Sequence, residues 1–378
     1  MIMKKLTSYC SLNMGQSPDS KTYNTNGEGM PFYQGNADFG VIHPVTRVWC
    51  SQPVKKAKKG DILISVRAPI GAMNIAKEDC CIGRGLAALT PFAETSTEFL
   101  YYAVQSRVDS LIAQGTGSTF KAISKKVLEE TLLPSFSKKE QVDIIRKLGL
   151  VDSAIAERQK QLDLLKQLVK SRFIEMFGDP RINPKGYDIV SISSLFDVGS
   201  SKRVFESEWR ESGVPFYRAR EIVKLSKDGY VDNELFIEEE MYEAYKAKYG
   251  VPKAGDLMVT GVGTLGVCYI VKETDRFYFK DGNTLWFKNK GLCDVRFIKD
   301  QYDTDFVKEQ ITANANVSTV GTYTITNANN TLVLLPSLAE QEQYVEFCKQ
   351  VDKSKFEIQK SLDELEILKK SLMQQYFG

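Results

Sequence analysis

The chain has 378 residues, 43% hydrophobic and 26% charged, which places it among ordinary soluble proteins with room for two or three domains. It has no 18-residue apolar run and no charged-then-apolar leader, which predicts a cytoplasmic protein that neither crosses a membrane nor is secreted. A net charge of +2 excludes a uniformly basic coat on nucleic acid, and a single histidine with seven cysteines that never form Cys-x-x-Cys argues against a zinc site.

In chain order, Gly15 and Pro31-Phe32-Tyr33 open a first globular segment, residues 1–135, with 15 basic and 11 acidic groups. Asp61–Val66 reads as a strand running into a tight turn, and Glu98–Ala113 as a short amphipathic helix. Cys80-Cys81 reads as a pair of small buried residues on a strand. The lead-in Leu132-Leu133-Pro134-Ser135 is followed by Ser137-Lys138-Lys139-Glu140, the Ser-x-x-Glu form of a capping box. A long helix is predicted over 136–178, its seam carried by Leu148, Val151, Ile155, Leu162 and Leu165 at 3-4 spacing.

The pattern then starts again. Gly199 and Pro215-Phe216-Tyr217 repeat the opening, and Gly255-Asp256-Leu257-Met258 echoes Gly60-Asp61-Ile62-Leu63. Asp256–Thr260, Gly266–Val271 and Leu285–Lys288 read as strands. This second segment, 179–337, carries 20 basic and 23 acidic groups. Leu334-Leu335-Pro336-Ser337 leads into a second long helix over 338–378, with seam residues Val351, Ile358, Leu362, Leu365 and Leu372. From Val151 to Gly178 a shift of 200 gives 13 identities in 28 positions, so the chain is an internal repeat. The first helix has 9 basic and 6 acidic residues and the second 6 and 8, which suits them as antiparallel partners. Lys355 and Lys369 depart from the seam, standing where the first copy has Ile155 and Val169. The fold class expected is α+β: two globular modules and two long helices in an antiparallel coiled coil, related by a pseudo-two-fold repeat.

Gly261-Val262-Gly263-Thr264-Leu265-Gly266 fits a dinucleotide fingerprint, but Val267–Val271 after it reads as a strand where a helix is required, so a hairpin turn is the better reading. No P-loop and no Asn/Asp-Pro-Pro-aromatic tetrapeptide is found, so the usual parts of an ATPase and of an adenine methyltransferase are missing. What remains suits nucleic acid. Arg reads guanine, and Asn or Gln reads adenine, through paired donors and acceptors. Such residues cluster after the shared landmarks: Tyr33, Gln34 and Asn36 in the first unit, Tyr217, Arg218 and Arg220 in the second. Arg67 and Thr264 lie in corresponding turns, and Arg84 and Asn283 follow Gly83 and Gly282. Ser118, Thr119 and Lys121 correspond to Ser318, Thr319 and Tyr323. Lys56 and Lys58 lie in a basic run suited to phosphates.

Across its whole length the chain resembles the specificity (S) subunit of type I restriction–modification systems. The resemblance is carried by the paired Leu-Leu-Pro-Ser then Glu-Gln lead-ins (132–141 and 334–343), the helices ending in Phe-Gly, and the order of segments. It implies a first target-recognition domain over 1–135, a central conserved helix over 136–178, a second recognition domain over 179–337 and a distal conserved helix over 338–378. It also implies a chain without catalytic activity or cofactor, whose two domains each read half of a split DNA sequence. The helices would set the spacer and dock two modification (M) subunits carrying S-adenosylmethionine. Two restriction (R) subunits using ATP and Mg would join for cleavage. A helix of about 40 residues spans roughly 60 Å, enough to set two modules on groove faces roughly 34 Å apart. A coiled-coil adaptor without a DNA role, or a methyltransferase or nuclease with an unusual site, are the other readings.

Overall fold

The computed structural model describes residues 2–117, 121–315 and 321–378. The chain divides into two compact units, one of residues 1–161 with 358–378 and the other of residues 162–357. Both cuts fall inside helices. The central helix runs Lys138–Phe177 and the distal helix Leu338–Phe377, so each contributes one half to each unit.

The motif before each helix has a local cause. Leu132–Pro134 and Leu332–Leu335 are strands rather than the first turns of the helices, paired antiparallel with Met3–Lys5 and Asp188–Ser191. At the first helix the Glu140 carboxylate accepts from the Ser137 backbone N–H (2.8 Å), and the Glu140 N–H reaches Ser137 Oγ (3.4 Å). Glu340 and Ser337 make the same two bonds at 3.0 and 3.4 Å. This capping box satisfies donors that a helix start otherwise leaves unpaired. The glutamine next in sequence is buried and donates to a carbonyl of the lead-in, Gln141 to Phe136 and Gln341 to Pro336.

In the first unit a four-stranded antiparallel sheet contains Cys10–Met14, Leu86–Pro91, Ile62–Ser65 and Met73–Ile75, in that order. A mixed sheet of five short strands includes Met30–Tyr33 parallel to Cys80–Ile82. The second unit repeats this with Phe196–Gly199, Thr284–Asn289, Leu257–Thr260 and Cys268–Ile270, and with Val214–Tyr217 parallel to Tyr278–Phe279. Glu98–Ala113 is two helices, Thr97–Gln105 and Val108–Ala113, broken at Ser106-Arg107. All seven cysteines are buried and unpaired, and burial pushes the Cys80 thiol up to about 12.

Within each unit the two helix halves run antiparallel. In the first, Lys147 donates to Tyr376 Oη (3.2 Å), Lys369 pairs with Asp152 (2.7 Å) and Arg158 donates to Ser361 Oγ (3.3 Å). In the second, the Arg172 guanidinium lies 5.5 Å from the Phe347 ring centre and Phe177 lies 5.7 Å from Tyr344. Leu148, Val151, Leu162, Val351 and Leu362 are buried in this seam, and Ile155, Leu165, Ile358, Leu365 and Leu372 are half-buried. The two lysines that interrupt the apolar pattern have acidic partners, Lys369 across the pair and Lys355 on its own helix with Asp352 at 3.4 Å. The ends of the helices enter the globular cores. Phe377 is fully buried with Leu6, Phe99 and Leu133 in the first unit, and Phe177 with Phe297, Val333 and Tyr344 in the second. No described helix is long and apolar enough to cross a membrane.

Candidate nucleic-acid interface

One edge of each module is built from the same hydrogen-bond ladder. In the first, Gly83 N–H donates to Tyr33 O (2.8 Å), Val66 N–H to Gly85 O (2.9 Å), Ile123 N–H to Val66 O (2.9 Å) and Gly71 N–H to Ser65 O (2.9 Å). In the second, Lys280 donates to Tyr217 O (2.8 Å), Gly261 to Asn283 O (2.9 Å), Tyr323 to Gly261 O (2.8 Å) and Gly266 to Thr260 O (2.9 Å). The last bond closes a turn whose glycine is left-handed in both copies, with φ of 89° at Gly71 and 72° at Gly266. Only glycine adopts that conformation without cost. The Gly261–Gly266 stretch is therefore a hairpin turn between Leu257–Thr260 and Cys268–Ile270, as its sequence context predicts.

On this scaffold the first module presents Gln34, Arg67, Arg84 and Lys121, all exposed. Arg67 sits one residue after Val66 and Arg84 one before Gly85, so the Val66–Gly85 bond brings the two turns together. Asn36 is half-buried at the start of a single helical turn, Asn36–Asp38. The cleft beside Arg84, about 390 Å³, is lined by Ser17, Tyr23, Phe32, Gln34, Asp38 and Val48. Tyr23 and Phe32 stack there with ring centres 4.7 Å apart. Ser17 was not singled out from the sequence. Its hydroxyl lies 2.9 Å from Gln34 Nε2 and 3.2 Å from Oε1, and it accepts from the Arg84 backbone N–H at 3.3 Å. Its position two residues after the duplicated Gly15 was the available signal.

Several expected contacts are corrected by the structure. Tyr33 is 3% exposed and its hydroxyl is bonded to Thr46 Oγ1 at 2.7 Å, with burial raising its pKa. Tyr323 is 1% exposed, occupies the ladder position of Ile123, and shares hydrogen bonds with Thr331 (2.6 Å) and Tyr302 (3.1 Å); burial pushes it up to about 12. Both are core residues: Tyr33 ends the buried strand Met30–Tyr33, and Tyr323, just before the helix Ile325–Asn330, packs into the main core of the second unit. Lys56 pairs with Cys81 and Ala57 with Cys80, so the exposed Lys58 lies beyond the end of that strand furthest from Arg84. Lys58 does not join the edge cluster.

In the second module Tyr217 is half-buried against Phe277, ring centres 4.7 Å apart. Arg218 and Arg220 both bind the buried Glu221, whose side chain is 4% exposed; Arg218 does so through Nη2 at 2.9 Å and Nε at 3.1 Å. Arg220 also pairs with Glu234. Burial pushes the Glu221 carboxyl up, but the two guanidiniums outweigh it and hold the group below its ordinary value. These arginines are thus engaged within the protein, Arg218 as the helix cap. Thr264 is exposed in its turn and Asn283 is half-buried, its carbonyl taken by Gly261. Ser118, Thr119, Ser318 and Thr319 lie outside the described residues.

A family model described as the type I restriction modification DNA specificity domain matches residues 2–167 and again 184–367. A Methanocaldococcus jannaschii protein, provisionally the MjaX specificity subunit of a type I restriction enzyme, is 40% identical over 163 residues, 43% of this chain and 38% of its own. The MjaIX specificity subunit from the same organism is 26% identical over 274 residues, 65% of this chain and 63% of its own. The matched regions therefore span less than two thirds of these relatives. The crystal structure of a type I restriction–modification S subunit from M. genitalium superposes with a TM-score of 0.57 at 16% identity, covering 100% of this chain and 96% of that one, and shares its fold.

Proposed function

The chain belongs to the type I restriction modification DNA specificity family, and from that premise we propose that it is the sequence-reading, non-catalytic subunit of a type I restriction–modification complex. Each module reads one half of a split, asymmetric duplex target, and the paired helices fix the gap between the halves. Two modification subunits, carrying S-adenosylmethionine, dock on equivalent surfaces and methylate adenine. Restriction subunits using ATP and Mg join them for cleavage. The observation carrying this reading is the repeated hydrogen-bond ladder whose edge differs in chemistry between copies: the exposed Gln34, Arg67 and Arg84 in one, and at the same places Arg218 bound to Glu221, the half-buried Val262 and the exposed Gly282 in the other. A shared backbone with unlike side chains suits unlike half-sites.

The test is the pattern of genomic adenine methylation in the native host and in a strain lacking this chain. A split motif with a fixed gap, present only when the chain is present, is expected; unchanged methylation with modification subunits expressed would overturn the reading. Deleting one heptad from residues 151–172 should alter the gap or abolish methylation, and replacing residues 1–130 by those of a related chain should change one half-site only.

A further inference from the structure

The sequence contains fourteen arginines. Twelve of their guanidiniums bind a carboxylate, a side-chain amide or hydroxyl, or a backbone carbonyl. Among the described residues only Arg67 and Arg84 have no such partner, and both stand on the edge of the first module.

Arg84 is the more tightly seated. Its backbone N–H is held by Ser17 Oγ at 3.3 Å. Gly83 before it is pinned to Tyr33 O at 2.8 Å, and Leu86 N–H closes the turn onto Gly83 O at 3.0 Å. Close approach of backbone forces the glycine after Arg84: a Cβ on Gly85 would lie 2.5 Å from the Gln34 carbonyl oxygen, whereas one on Gly83 would meet the movable Gln34 Oε1 at 2.6 Å and Gln34 Cα at 3.0 Å. The exposed guanidinium thus leaves a backbone fixed from three sides, beside a cleft floored by the stacked Tyr23 and Phe32 rings.

A phosphate contact needs only a charge within reach. Reading a base edge needs the donor fork placed to a fraction of an ångström and free of internal partners. The ladder makes Asn283 the counterpart of Gly85, so Gly282, the residue before it, stands where Arg84 does, and the arginines of that module's edge, Arg218 and Arg220, are already neutralised by Glu221.

We propose that Arg84 reads a guanine in the half-site of the first module through its O6 and N7, with Ser17 and Gln34 as residues that position its turn. This rests on the DNA-reading function proposed above. It assigns a G·C pair to one half-site and to one residue.

The test is selection from a randomised duplex library by the full chain assembled with its modification subunits, using the wild type, Arg84→Ala and Arg84→Gln. The wild type is expected to select a split motif with a guanine that Arg84→Ala relaxes, by roughly tenfold to hundredfold in preference, in one half only. Arg84→Gln, whose amide fits adenine, is expected to turn that guanine toward adenine, a gain that a misfolded variant does not give. An unchanged motif, with affinity lowered alike on every sequence and the salt slope reduced by about one, makes Arg84 a phosphate contact and overturns the proposal while leaving the DNA-reading function intact. A wild-type complex that selects no motif overturns both.

Discussion

The ring of Phe377 lies 6.0 Å from that of Phe99, and the ring of Phe177 lies 4.9 Å from that of Phe297. The distal helix thus ends in the core of the first module and the central helix in the core of the second. In each case a basic side chain binds a carbonyl of the last turn, Arg107 on Phe377 O at 2.6 Å and Lys185 on Met176 O at 2.5 Å, where the helix dipole favours positive charge. The Phe-Gly that closes both repeats is a plug for a globular core.

Phe377→Ala should therefore destabilise the first unit by about 3–5 kcal/mol, the usual cost of emptying a buried phenylalanine site. Phe177→Ala should do the same to the second. Hydrogen exchange resolved along the chain separates them. Protection lost from Phe99 and Leu133 on Phe377→Ala, with Phe297 and Val333 unaffected, is the expected pattern; the reverse would refute the crossed arrangement.

Gly15 and Gly199 are equivalent in sequence but not in surroundings. A Cβ on Gly15 would lie 2.2 Å from Gly83 O and 2.8 Å from Leu86 O, whereas one on Gly199 would meet nothing within 4 Å. Gly15→Ala should cost about 1–3 kcal/mol through forced backbone shifts, and Gly199→Ala should be neutral or slightly stabilising. Urea denaturation of the two variants, measured side by side, checks this. Equal effects would count against the close approach of Gly15 to the turn that carries Arg84.

Arg218→Ala should act on stability before it acts on base preference. It removes two side-chain bonds to the Glu221 carboxylate and leaves a buried charge held by Arg220 and the backbone N–H of residue 218, a loss of about 2 kcal/mol. The unfolding midpoint should fall while the selected DNA motif keeps its bases. A relaxed base position with unchanged stability would restore Arg218 to the reading surface.

Asp352 predicts an acid-dependent contribution. Burial raises its carboxyl, but the bond from Arg296 Nη1 at 2.6 Å and the nearby Lys355 outweigh this and hold it below the ordinary value. A depressed folded pKa stabilises above the unfolded value of about 3.9 and is lost as pH falls through the folded one. With its side chain 41% exposed, solvent screening limits the effect to no more than about 1 kcal/mol. Asp352→Asn should lower the midpoint at pH 7 and flatten its dependence below pH 4; an unaltered acid limb would show that Arg296 is satisfied by Asp300 alone.

Much of this protein was legible in the order of its residues. The capping boxes at Ser137 and Ser337, the seam of the helices, the hairpin at Gly261–Gly266 and the duplication all rest on local geometry, where a turn type or a helical period admits few side chains. Strand and helix limits followed the same rules, except where the Leu-Leu-Pro lead-in joined a sheet and where Glu98–Ala113 broke in two. Packing decided the rest. Tyr33 and Tyr323 are turn-flanking aromatics that the sequence cannot tell from surface readers, and only burial separates them. Arg218, Arg220 and Arg84 carry the same guanidinium. For Arg218 and Arg220 the partner is local, since Glu221 follows three residues and one residue later in the first turn of a helix. That no carboxylate comes close enough to bind Arg84 is a property of tertiary structure, because a carboxylate distant in sequence, as Glu234 is for Arg220, reaches a guanidinium only through the fold.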